Sequence, residues 1–136
     1  MVLNVKKFIP TVETHPVFDG FDCVKYPMQL IARVLAVDQN DVLQFRKGIK
    51  TLRDIDLVLL TLVLAHRIDE LENAYQNDLN TSEILNSDMH IQIEEALIHL
   101  EIQESINNDF PATVIREGAQ NFRKWWLIET VHKNKT

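Results

Sequence analysis

At 136 residues and 46 % hydrophobic composition the chain suits one compact domain, and three glycines and four prolines leave little for flexible linkers, low-complexity tracts or an all-β fold rich in tight turns. Cys23 is the only cysteine, which excludes an internal disulfide framework and fits a reducing cytoplasm. The net charge of −6 is segregated: residues 28–53 carry a basic excess of three, residues 54–110 set thirteen acids against Arg67 alone, and residues 111–136 return to a basic excess of three.

The opening MVLNVKKFIP holds two lysines but no long apolar core and no small-residue cleavage site, so no signal peptide is expected. In VETHPVFDGFDCVKY, residues 12–26, Asp19-Gly20 lies between stretches rich in Val, Phe and Tyr. Asp-Gly suits the positive φ values of a tight turn, so residues 1–27 are expected as a short extended arm or β-hairpin, with Pro16 confining any strand to an edge. Pro27 then opens a helix, because MQLIARVLAV repeats Leu30, Ile31, Val34 and Leu35 at helical spacing. A second short helix starts at Asp38, whose carboxylate can cap it, and runs through Gln44 and Phe45 to a stop at Gly48.

Residues 53–77 fit one long helix with Asp54 and Asp56 in its first turn, where they complement the macrodipole. Its stretch Leu57 to Ala65, LVLLTLVLA, is apolar on every side yet far shorter than the ~18–20 residues of a membrane span, so it belongs at the centre of the fold. Ile68, Leu71 and Tyr75 continue one apolar stripe up to a break at Asn77-Asp78. Asn80 and Glu83 have the spacing of a capping box for the next helix. That helix runs to about Asn107 and is expected to bury Ile93, Leu97 and Leu100, with Ile98, Ile102 and Ile106 beside them. The two form a long antiparallel hairpin over 53–107. After Asn-Asn-Asp-Phe-Pro, residues 111–132 supply a last helix with Ile115, Gly118, Phe122 and Trp126 along one stripe. A glycine in mid-helix costs about 1 kcal/mol against alanine, so Gly118 predicts a close helix–helix approach. The expected fold is all-α or mainly α, a compact bundle of about five helices with a short N-terminal extended arm or β-hairpin, forming one domain over residues 1–136.

Residues 28–48 resemble the helix-turn-helix of Cro-like repressors. Ile31 and Ala32 sit where that family packs its first helix on the second, Val37 follows the turn, and Val42 and Phe45 fall on the inner face of the recognition helix. The resemblance implies that Gln39, Asn40, Leu43 and Gln44 face the major groove, with Arg46, Lys47 and Lys50 near phosphates. Ala36 stands where the family usually has glycine, and Asp38 and Asp41 place two carboxylates on the helix that would approach DNA. The same block is also similar to the acidic, helix-rich tail-assembly chaperones of tailed phages, in which a short β start leads through a helix-turn-helix into an apolar helix.

Chemistry-bearing motifs are absent. His15, His66, His90, His99 and His132 lack the spacing that aims ligands at one metal, and Cys23 has no basic cluster to activate it. With no phosphate-binding glycine loop and no nucleophile elbow, the chain is expected to be no enzyme and to use no cofactor, metal or small-molecule substrate. Glu94, Glu95, Glu101 and Glu104, with Asp88, give the fourth helix a negative outer face. That face serves as a solubilising surface, or as a dock for a basic partner or for the basic last helix of another copy. Trp125 and Trp126 are adjacent, so one must lie on the core side with Phe122 and its neighbour at a boundary, beside Arg123 and Lys124.

The leading expectation is a cytoplasmic or virion-borne protein–protein interaction or assembly protein, of the phage structural, adaptor or tail-assembly kind. Its partner-binding residues are Trp125, Trp126, Arg123, Glu94 and Glu101, and its partner is another protein or a second copy, not a membrane. The alternative is a helix-turn-helix transcriptional regulator that reads DNA with Gln39, Asn40, Gln44, Arg46, Lys47 and Lys50.

Overall fold

The computed structural model describes residues 15–78 and 87–135. Residues 1–14 of the expected arm, and the capping box at Asn80 and Glu83, lie outside the described residues. The described residues form an all-α fold of six helices: α1 (Pro16–Cys23), α2 (Met28–Leu35), α3 (Gln39–Arg46), α4 (Asp54–Asp78), α5 (Ser87–Asn107) and α6 (Ala112–Lys135).

Helix α1 corrects the expectation of an extended arm or hairpin over residues 15–27. Pro16 occupies its first turn, where a fixed φ and a missing N–H carry no penalty. Val17, Phe18 and Phe21 are completely buried. Gly20 is mid-helix rather than in a turn, and a Cβ there would stand 2.5 Å from Leu64 Cδ2 and 3.4 Å from His99 Cβ. Burial of two phenylalanines and close approach to α4 and α5 outweigh the weak helix propensity of Pro, Val and Gly. The turn comes after Cys23, where Lys25 takes a left-handed φ of 55° and Tyr26 N–H donates to the Phe21 carbonyl at 2.9 Å.

The next two helices end and begin as the sequence implies. Ala36 closes α2 in the left-handed region at φ 59°, letting Val37 N–H reach the Ala32 carbonyl at 3.0 Å. Asp38 caps α3 by accepting from Asp41 N–H at 2.9 Å, and Gly48 beyond its end has φ 76°.

Helix α4 is the centre of the core: Leu57, Val58, Leu59, Leu60, Val63, Leu64 and Ile68 are all buried. It packs against α1, α2, α5 and α6. Thr61 of α4 meets Asn107 at the end of α5, whereas Tyr75 stacks on His90 near its start, so the two helices run antiparallel. Helix α6 runs parallel to α4, because Gly118 lies on Val58 and Trp126 on His66.

One face of α5 differs from expectation. Ile93, Ala96 and Leu100 are buried, but Ile98 is 57 % exposed, and Ile102 and Ile106 are exposed too. The 3–4–3–4 register that buries Ile93, Ala96 and Leu100 brings Gln103 and Asn107 inward next. Those two polar residues are buried as links in a chain: Gln103 Nε2 donates to Asn107 Oδ1 (2.8 Å), Asn107 Nδ2 to Thr61 Oγ1 (2.9 Å), and Thr61 Oγ1 to the Leu57 carbonyl (2.6 Å). Among the described residues no helix is long and apolar enough to cross a membrane.

Candidate interaction site

Four segments converge beside Trp126. The α1–α2 corner supplies Tyr26, α2 supplies Arg33, α4 supplies His66, Arg67 and Glu70 one turn apart, and α6 supplies Trp125, Trp126 and Glu129. Together they line a cleft of about 440 Å³. Trp125 lies against the core with Phe122, ring centroids 5.8 Å apart, while Trp126 sits at the lip, 36 % exposed. The adjacent tryptophans therefore divide between core and boundary. His66 holds Trp126 edge-on at 4.4 Å, so the indole is fixed on one side and open on the other.

The polar lining carries both signs. Arg33 forms an ion pair with Glu129, joining α2 to α6 across the cleft, and Arg67 pairs with Glu70 at 3.3 Å. Nε2 of His66 and Nε of Arg67 are buried without a hydrogen-bond partner in the protein. Glu70 Oε2 is 3.6 Å from that His66 nitrogen, beyond a good hydrogen bond. Burial, and secondarily the Glu129 carboxylate, pushes the Tyr26 phenol up to about 12. The wall thus combines aromatic rings with paired charges.

The other expected partner-binding residues are elsewhere. Arg123 is exposed on α6, and Glu94 and Glu101 are exposed on α5, which contributes nothing to the cleft lining. Tyr26, His66 and Glu129 escape a reading by sequence because they belong to three separate helices or corners. The only available signal was the Trp pair itself.

Helices α2 and α3 pack together, with Ile31, Ala32 and Val42 buried in the core. The cations of this block are mostly drawn inward. Arg46 is clamped to Asp22 by both terminal nitrogens (3.0 and 2.7 Å) and lies 5.0 Å over the Phe18 ring. Lys50 bonds Asp41 at 2.6 Å and Arg53 bonds Asp56 at 3.0 Å. With Arg33 on Glu129, four of the five cations in residues 28–53 have a carboxylate partner inside the chain. Gln39, Asn40 and Lys47 stay exposed on α3 and at its end, Gln44 is half-buried, and Leu43 is exposed.

Cys23 is a poor nucleophile in this setting. Burial, with the neighbouring Glu95 carboxylate 3.9 Å away, pushes its thiol up. Among the described residues no three His, Cys, Asp or Glu gather closely enough to hold a metal. No family model, curated protein or solved structure matches the chain.

Proposed function

We propose that this protein is a non-catalytic protein–protein interaction or assembly protein, and that the cleft beside Trp126 receives a side chain of its protein partner. The observation that carries this reading is a tryptophan pinned edge-on by His66 at the lip of a cleft walled by rings and paired charges. Such an indole gives a large contact area at little further loss of side-chain freedom, and tryptophan with arginine dominates interface hot spots. The concrete form we propose is a structural, adaptor or tail-assembly component of phage type. Its test is affinity capture from the source cells with wild-type, Trp125→Ala and Trp126→Ala chains as bait, quantified by mass spectrometry. The expected outcome is one protein whose capture falls at least about tenfold with Trp126→Ala, as for an anchor worth about 2 kcal/mol. Equal capture by all three baits sinks the reading.

The rival, DNA reading by α3, is favoured by the helix-turn-helix packing and the left-handed turn at Ala36. It requires binding to random duplex DNA that weakens steeply with salt and on Gln39→Ala or Lys47→Ala. The engagement of Arg46 and Lys50 by Asp22 and Asp41 is why interaction with protein is placed first.

A further inference from the structure

Opposite the core side of α5 lies a row of isoleucines. Ile91, Ile98, Ile102 and Ile106 recur at seven- and four-residue spacing, and all four are exposed. On a straight helix they share one face, ~22 Å from first to last, with Glu94 and Glu101 along one edge and Glu95 between them. No lysine or arginine occurs anywhere on α5. A solvated helix face is normally polar, so four exposed isoleucines in line mark a surface that is covered in use.

Helix α6 carries the complementary face. Leu127, Ile128 and Val131 are each more than half exposed, and Arg123 and Lys124 are exposed a turn before them. These five point away from the side of α6 that packs Gly118, Phe122 and Trp125 on α4. One face is apolar with an acidic border, and the other is apolar with a basic one.

We infer that the isoleucine face of α5 is covered by the outer face of α6 from a second copy of this chain. Like pairings are disfavoured: α5 on α5 brings Glu94, Glu95 and Glu101 against their own copies, and α6 on α6 does the same to Arg123 and Lys124. The unlike pairing buries both apolar rows and sets each carboxylate row beside cations. Association is therefore head to tail, α5 of one copy taking α6 of the next. The inference goes beyond the cleft reading above: it names a second contact surface and does not use the Trp126 cleft.

Charge reversal tests it on the full-length protein by sedimentation velocity at tens of micromolar. The wild type is expected to sediment as a species larger than a monomer. Glu94→Lys with Glu101→Lys makes both faces basic, Arg123→Glu with Lys124→Glu makes both acidic, and each double variant alone is expected to associate at least about tenfold more weakly. Mixed together, the two are expected to regain assemblies of wild-type size in which they alternate one to one, since the α5 of each now fits the α6 of the other. Ile98→Ser with Ile102→Ser is expected to give monomers whose far-ultraviolet dichroism matches that of the wild type, with a melting temperature lowered only by the lost association. Trp126→Ala is expected to leave self-association intact, which separates this result from that of the capture experiment. A monomeric wild type, or a mixture that stays monomeric, overturns the inference.

Discussion

Gly118 shows how a single missing side chain sets the distance between two helices. A Cβ at that position would lie 2.5 Å from Val58 Cβ, 2.6 Å from Val58 Cγ1 and 3.0 Å from the Ile55 carbonyl oxygen. The first atom is the root of a β-branched side chain and the last is backbone, so neither can step aside cheaply. Gly118→Ala is expected to destabilise by about 1–3 kcal/mol in urea unfolding, in spite of the gain in helix propensity. Gly20→Ala is expected to cost less, because the 2.5 Å contact there is the flexible tip of Leu64. The glycine's close approach is legible from sequence, as mid-helix glycine needs a reason. Tyr26 is not legible in the same way, since burial against α4 and α6 decides its behaviour. Its phenol, pushed up to about 12 chiefly by burial, holds its proton more tightly when folded than the ordinary value near 10. From about pH 10 to about 12 the unfolded chain therefore binds fewer protons, and the stability present below pH 10 is lost as pH rises through that window. Tyr75→Phe leaves Tyr26 as the lone tyrosine, and ultraviolet titration of that variant is expected to show a phenolate midpoint near 12 rather than near 10.

At the scale of elements, α4 was readable and α1 was not, for one reason. Leu57 to Ala65 is apolar at every position, so any helical register buries it. Residues 16–23 contain Pro, Asp-Gly and aromatics that locally favour a turn, and only the long-range contacts of Phe18, Phe21 and Gly20 make them helical. On α5, Ile98, Ile102 and Ile106 are expected from sequence beside the core and are exposed, while Gln103 and Asn107 occupy the buried positions. That inversion is stabilised by the buried chain from Gln103 through Asn107 to Thr61, which joins the start of α4 to the end of α5. Removing one link is expected to be worse than removing all. Thr61→Val leaves Asn107 Nδ2 without its acceptor and is expected to cost about 1–3 kcal/mol. Thr61→Val, Gln103→Leu and Asn107→Leu together are expected to lie within about 1 kcal/mol of wild type or above it, because no orphaned buried polar group remains. Chemical denaturation of the single and triple variants measures the difference.

For the whole molecule, the charge pattern divides into a part that folds inward and a part that does not. Four of the five cations of residues 28–53 are drawn to Asp22, Asp41, Asp56 and Glu129, so most of the basic block closes on its own chain. The acids of α5 remain outward, which is where the candidate self-contact lies. The Trp pair could be singled out from sequence, but its cleft could not, because Tyr26, His66 and Glu129 meet only once α2 and α6 are packed on α4. That shared dependence on α4 has a measurable consequence. Leu60 is completely buried in the helix touched by four others, and Leu60→Ala is expected to cost about 2–5 kcal/mol through lost transfer energy and a residual cavity. Both tryptophans lie on α6, held to α4 through Gly118 and His66, so their fluorescence reports on α6 while far-ultraviolet dichroism reports on all helices. In wild type and in Leu60→Ala the two signals are expected to give one coincident transition, shifted equally by the substitution. A fluorescence midpoint that stays put while the dichroism midpoint falls would mean that α6 holds together without the α4 core, and that the cleft does not depend on it.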